Sequence, residues 1–224
     1  MNEESGLRAV LSGHDMGKSR RRQAIIDAAR RLIEEEGEAA FTMRRLATEA
    51  KVSVPTPYNL FGSKETVVRA VMDDDRAKFD EDFRATAAEH PLERIFDIID
   101  TRFDTYRSNP SFHRALVRSL YDVREADGDH SIWFEHVAYG TQLIDDAVKA
   151  GCIEGHSGGF LGRALIRTYH ATLLEWISDE VDLETAHRDI GLSVAILLSA
   201  YITKAHREVL KAVRARYELD RRTK

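Results

Sequence analysis

Gly155, His156, Ser157, Gly158 and Gly159 spell the Gly-x-Ser-x-Gly pattern in which a nucleophilic serine sits on a sharp strand-to-helix turn. That chemistry needs a preceding strand in a parallel sheet. Here a helical pattern and a short glycine loop come first, so Ser157 is expected to cap the next helix, with a small-molecule hydrolase as the enzymatic alternative. Cys152 and His156 lie four apart, but no second pair among the nine histidines has a convincing ligand spacing, so no metal site is expected. The single cysteine also leaves no intrachain disulfide and suits a reducing compartment.

A different chemistry, the reading of nucleic acid, is supported by charge. The chain is net −5, yet residues 18–62 hold nine Lys and Arg against six Asp and Glu. A basic module joined to an acidic body is the distribution expected when only one part meets phosphate. Within that module Asn59 carries an amide that can pair bidentately with adenine in a major groove.

The elements that must carry these side chains are helical. Residues 1–18, with Gly6, Gly13 and Gly17, lack periodicity and are expected to form a disordered arm. From Ser19 a first helix puts Ile25, Ala28, Ala29, Leu32 and Ile33 on one face and stops near Gly37. Thr42 is placed to cap a second helix, with Phe41 and Leu46 as a hydrophobic staple. Ser53 is placed to cap a third, ending near Phe61. Pro55 and Pro57 bias Val54 and Thr56 away from helical angles, so this third helix is expected to start late or to be distorted. Leu46, Ala47, Val52, Leu60 and Phe61 are the expected core of the three.

Further helices are expected from Ser63 to about Ala87, from Pro91 to about Arg107 and from Pro110 to about Tyr121, with a loop over 126–130. Three more should span Ser131–Ala150, Ser157–Ser178 and Asp182 to about Arg216. No strand or repeat is expected. The acidic start and the lack of a long apolar run predict neither export nor a membrane span, and hence a cytoplasmic location.

Residues 42–71 combine two short helices, a three-residue turn, an aromatic, a small-residue break and a lysine at the next helix start. Thr42, Leu46, Ala47, Val52, Ser53, Thr56, Tyr58, Phe61, Ser63, Lys64 and Glu65 fall in register with the TetR/AcrR family of transcriptional regulators, which residues 20 to about 75 resemble. Lys51 departs from that pattern, standing where a turn glycine is usual, and Pro57 replaces the usual leucine.

The resemblance implies an all-α fold, with a three-helix helix-turn-helix DNA-binding domain at 19–63 and a six-helix ligand-binding and dimerisation domain at 64–224. It implies that Thr42, Tyr58 and Lys64 meet the DNA backbone, while Ser53, Val54, Pro55, Thr56 and Asn59, with Arg44, lie at the bases. It implies a homodimer on palindromic double-stranded operator DNA, released by a small hydrophobic effector, with no cofactor and no catalysis. Phe103, Tyr106, His113, Trp133, Phe134, His136, Tyr169, His170 and Trp176 are the expected effector-site residues. On the last helix Ala195, Ser199 and Thr203 form a small-residue strip which, with Leu192, Ile196 and Leu210, is the expected dimer interface. A helical scaffold without DNA affinity is the non-enzymatic alternative.

Overall fold

The computed structural model describes residues 3–36, 42–127, 131–155 and 158–218. Ten helices follow in order: α1 Glu3–Glu36, α2 Met43–Glu49, α3 Pro55–Phe61, α4 Lys64–Thr86, α5 Pro91–Ser108, α6 Pro110–Asp127, α7 Ser131–Lys149, α8 Gly158–Ile177, α9 Leu183–Ser199 and α10 Arg207–Glu218. The only bridge among the described residues is an isolated antiparallel one between Ile153 and Ile202. Gly37, Phe41, His156 and Ser157 lie outside the described residues, as does the segment 128–130.

The helix starts follow the expected chemistry. Thr42 has extended angles and its hydroxyl accepts from the Arg45 amide at 3.3 Å. Ser63 accepts from the Thr66 amide at 3.3 Å, and Pro91 and Pro110 open α5 and α6.

Several expectations need correction. Residues 3–18 are helical rather than a disordered arm, because extending an existing helix requires only one further residue to be fixed per hydrogen bond, unlike nucleating a new one. Helix α6 continues six residues past Tyr121, to Asp127, so Ala126 is not in a loop. The helix expected over 182–216 is two, because the chain breaks after Ser199, bridges Ile202 to Ile153 and makes a 3-10 turn at Lys204–His206 before α10. Among the described residues the body thus has seven α-helices rather than six.

The chain packs as two compact units, Met1–Arg76 with Ser111–Leu120, and Ala77–Pro110 with Tyr121–Lys224. The first therefore takes in the start of α4 and part of α6, beyond the three helices expected at 19–63. Two seven-residue helices bury too little on their own, and Val67, Val68, Val71, Phe112 and Leu116 complete a core with Ile25, Ala28, Ala29, Leu32, Ile33, Leu46 and Phe61. Arg30 joins this core's edge, reaching Asp74 at 3.0 Å and Asp75 at 3.2 Å.

In the second unit α7 packs on α8, α8 on α9, and α9 on α10, while α5 contacts α7, α9 and α10. Glycine permits the α7–α8 approach: a methyl added at Gly162 would stand 2.6 Å from the Thr141 backbone. Since that neighbour is main chain, Gly162→Ala must move one helix from the other. We expect it to destabilise the fold by about 1–3 kcal/mol, measured by urea denaturation, with little loss of helix content in the folded baseline.

Candidate functional site

In the first unit α3 is held from behind. Pro57 and Phe61 are buried, Leu60 is half-buried, and the Arg22 guanidinium lies 4.2 Å from the Phe61 ring centre and donates to the Leu60 carbonyl at 3.2 Å. A cation there neutralises the negative end of the short helix. The opposite face carries Val54, Pro55, Tyr58 and Asn59, all exposed, with Val54 47% and Tyr58 52% accessible. Those positions recur at helical spacing, so one continuous surface faces solvent.

The prolines do not distort this helix. Pro55 and Pro57 occupy its first and third positions, where amide groups have no intrahelical partner, so no helical hydrogen bond is lost. Val54 stands before a proline yet takes helical angles, φ −52° and ψ −38°. It also replaces Ser53 as the capping residue. A cap at Val54 would serve the second and third amides, but the Thr56 amide already goes to the Ser53 carbonyl at 2.9 Å and Pro57 has none. The Ser53 hydroxyl instead pairs with the Thr56 hydroxyl at 2.7 Å, which leaves Thr56 half-buried. Lys51 adopts the left-handed φ of 54°, the conformation its place in the turn requires.

Around this surface Thr42 and Arg44 are exposed on α2, and Lys64 is half-buried at the start of α4. Glu65 beside it is held below the usual carboxylate range by its hydrogen bond with Ser63. His113 belongs to this unit and lies 3.4 Å from Asp75, so it is an interior partner of the Arg30 cluster and not part of the aromatic group it was expected to join.

That aromatic group is in the second unit. Phe103 and Trp176 are fully buried and Tyr106 nearly so; Tyr106 stacks on Trp176 at 5.1 Å and meets Phe103 edge-on at 5.6 Å. The Tyr106 hydroxyl bonds the Tyr169 hydroxyl at 2.7 Å. His170 is bonded on both ring nitrogens, to the Tyr121 hydroxyl at 2.6 Å and to His136 at 3.1 Å. The Tyr121 hydroxyl also donates to the His170 carbonyl at 3.3 Å, so the three side chains are joined in one run of hydrogen bonds. Phe134 departs from the group, being 67% exposed on α7, and the Trp133 side chain lies outside the described residues. Tyr121 was missed because nothing in its local sequence links it to a residue forty-nine positions away.

A second polar cluster was not foreseen. A cavity of about 420 Å³ is lined by Asp100, Asp104, Arg107, Glu184, His187, Arg188, Arg216 and Tyr217, and none of these belongs to the expected effector set. Arg107 grips Glu184 through two bonds of 2.7 Å and donates to His187 Nδ1 at 2.8 Å. A guanidinium cannot accept, so Nδ1 is the acceptor and His187 Nε2 carries the proton it donates to Asp100 at 2.8 Å. Tyr217 donates to the same Asp100 oxygen at 2.7 Å.

The expected dimer strip is also rearranged. Ala195 and Leu210 are buried within the protomer, Leu192 is half-buried, and Thr203 lies in the break after α9, bonded to the Gly151 carbonyl at 2.9 Å. Ile196, 60% exposed, and Ser199 remain on the surface of α9, with Leu174 and Phe160 exposed on α8. The helix ends at Ser199, so a four-residue spacing carried to Thr203 no longer describes one face.

The head is of a known type: residues 25–71 match the model of bacterial regulatory proteins of the tetR family. The chain is 38% identical over 85 residues to the HTH-type transcriptional regulator BetI of Rhizobium meliloti (strain 1021), covering 37% of this chain and 42% of that one. It is 28% identical over 134 residues to the HTH-type transcriptional regulator HbdR of Aromatoleum sp. (strain CIB), covering 53% and 58%. These alignments span about half the length of each relative. The fold extends further. A TetR-family transcriptional regulator from Pectobacterium atrosepticum superposes with a TM-score of 0.69 at 20% identity, over 84% of this chain and 97% of that one. This defines an all-helical protein with a tetR-type helix-turn-helix at its N-terminal end. Residues 25–71 are thus a tetR-type head, and the rest of the chain shares the all-helical fold of such regulators.

The Gly155–Gly159 segment is preceded by α7 and a loop with one isolated bridge, not by a strand of a parallel sheet. No helix among the described residues is long and apolar enough to cross a membrane.

Asp100 supplies a test of the polar cluster. Burial alone would raise its carboxyl, but hydrogen bonds from His187 and Tyr217, with the charge of Arg216, outweigh burial and hold it below the ordinary value. The folded state therefore favours the carboxylate. That contribution is complete above the unfolded pKa and is lost as pH falls through the lower folded one. Tyr217→Phe should cost about 1–2 kcal/mol at neutral pH and make the acid-side fall in stability smaller and complete at higher pH, as followed by urea denaturation in a pH series.

Proposed function

We propose that this protein is a ligand-responsive transcriptional regulator that binds a palindromic operator as a homodimer in the cytoplasm and represses until a small molecule releases it. The observation that carries the reading is the two-faced α3: Pro57 and Phe61 lock one side into the core while Val54, Pro55, Tyr58 and Asn59 stand clear on the other. A helix so held presents a fixed edge to a major groove. Val54, Pro55 and Asn59, with Ser53, Thr56 and Arg44 beside them, would face the bases, and Asn59 is the one group among them on α3 with bidentate chemistry for adenine. Thr42, Tyr58 and Lys64 would meet phosphates and set the register.

In this reading a hydrophobic or aromatic effector enters the second unit beside Phe103, Tyr106 and Trp176, oriented by Tyr169, His136 and His170. Its affinity for the DNA-free state must exceed that for the DNA-bound state, since a ligand shifts an equilibrium only by that difference. No catalytic step is involved. Dimerisation would use the outer faces of α8 and α9, where Leu174 and Ile196 are exposed.

Fluorescence anisotropy with the chain's own upstream DNA tests the DNA reading. Binding should fall steeply with salt; Lys64→Ala should weaken it for all sequences and flatten the salt slope by about one, whereas Asn59→Ala should relax sequence preference, costing about 1–3 kcal/mol at the cognate site. Upstream DNA bound no better than random DNA at every salt concentration would overturn it. For assembly, light scattering should give a dimer at micromolar concentration and a monomer for Ile196→Arg, because a buried unpaired charge at an apolar contact is not tolerated. A wild-type monomer would rule the dimer out.

A further inference from the structure

We propose that His90, Cys152 and His206 form a binding site for a zinc-class divalent metal ion in the second unit. Three loops bring them together. His90 precedes α5, Cys152 follows the left-handed Gly151 after α7, and His206 ends the 3-10 turn before α10. One ligating atom from each, an imidazole nitrogen from both histidines and the Cys152 sulfur, lies within 4.8 Å of the other two. Zinc bonds of about 2.0–2.1 Å to nitrogen and 2.3 Å to sulfur set tetrahedral ligand atoms roughly 3.3–3.6 Å apart. Closure by up to about 1.5 Å is within reach of side-chain rotation. Two imidazoles and a thiolate are a borderline-soft donor set, which selects zinc-like ions over magnesium or calcium.

The surroundings prepare each ligand. Nδ1 of His90 is buried with no hydrogen-bond partner, a polar atom withdrawn from water and aimed at nothing else. The Thr203 hydroxyl has one proton and donates it to the Gly151 carbonyl at 2.9 Å; its contact of 2.9 Å with His206 Nδ1 must therefore be one in which the histidine donates. That fixes the proton on Nδ1 and leaves the Nε2 lone pair of His206 for a metal, the outer-shell arrangement that metal-binding histidines use. Cys152 is 1% exposed; burial pushes its thiol up, and a hydrogen bond from the Leu92 backbone in the first turn of α5 only partly opposes this, so the group is a thiol until an ion displaces its proton.

The backbone frame is also rigid. The Thr203 amide donates to the Cys152 carbonyl at 3.0 Å and the Glu154 amide to the Tyr201 carbonyl at 2.9 Å, on either side of the Ile153–Ile202 bridge. Cys152 and His206 are thus clamped in one register, while the Ala88 amide, bonded to Asp97 at 2.8 Å, anchors the loop that carries His90. Binding displaces the thiol proton to solvent and forms one sulfur and two nitrogen bonds to the ion. Three protein ligands leave a fourth tetrahedral position for water or a small anion. The ion would tie the starts of α5 and α10 to the end of α7.

The test is a titration of the full-length, chelator-treated protein with cobalt(II), a spectroscopic substitute for zinc, and it does not depend on DNA binding. We expect saturation at one ion per chain, visible d–d bands of tetrahedral strength and a thiolate-to-cobalt charge-transfer band in the near ultraviolet, all bleached by zinc. Cys152→Ser should abolish the charge-transfer band, His90→Gln and the half-exposed His206→Gln should each weaken binding at least tenfold, and Thr203→Val should weaken it about 10–100-fold through loss of orientation. Zinc should raise the melting temperature of the wild type and not of His206→Gln, with far-ultraviolet circular dichroism showing both folded. Absence of a charge-transfer band in the wild type, or cobalt affinity unchanged in both histidine variants, would overturn the site.

Discussion

The surface offered to solvent by α3 depends on one constraint: two helices of seven residues each cannot persist alone. Isolated helices shorter than about 12–15 residues are marginal in water, so α2 and α3 exist because Met43, Leu46 and Phe61 are buried in one core with α1 and the start of α4, with Ala47 and Pro57 buried beside them. Burying that side decides the other. Once Pro57 and Phe61 face inward, helical geometry places Val54, Pro55, Tyr58 and Asn59 outward without further choice. The prolines strengthen the arrangement, because they fall in the one turn where a missing amide proton removes nothing from the helix, and their restricted backbone leaves less entropy to lose on folding.

Charge supports the same core at its rim. Arg30 spans from α1 to Asp74 and Asp75 on α4, and its guanidinium lies 4.9 Å from the Phe112 ring, with His113 sharing the same Asp75 oxygen at 3.4 Å. With side chains only 11–20% exposed, these charges are compensated by several partners at once, which is the condition under which a partly buried ion pair is tolerated. The cluster also explains why α6 contributes to the first unit. Its residues 111–120 supply both Phe112 and Leu116 to the core and His113 to the acidic pair.

The second unit separates its polar groups into distinct chemistries. Tyr121, His170 and His136 form a run of hydroxyl and imidazole groups, while Asp100, Arg107, Glu184, His187 and Tyr217 form an ionic cluster at an open cavity. Phe103 links the ionic cluster to the aromatic group, stacking on His187 at 4.8 Å and meeting Tyr106 edge-on. An apolar effector would meet the buried aromatic rings at lower desolvation cost than the ionic cluster, since stripping water from paired charges is expensive.

Local pattern alone determined a good deal. Apolar spacing marked the inner face of α1, cap chemistry marked Thr42 and Ser63, first-turn prolines marked α5 and α6, and the Thr42–Glu65 register pointed to the tetR-type head, because each of these signals is written within one or two helical turns. Lys51 stands where the family's turn glycine is usual, and the structure gives it the left-handed angles of that place. Contacts between distant segments were not. The break after Ser199 arises from Ile202 pairing with Ile153, the partner of His170 is Tyr121, and His113 turned to Asp75 rather than to the aromatic group. Only the tertiary structure decided these, since side chains tens of residues apart become neighbours through helix packing, and no short-range periodicity records which neighbour that packing will supply.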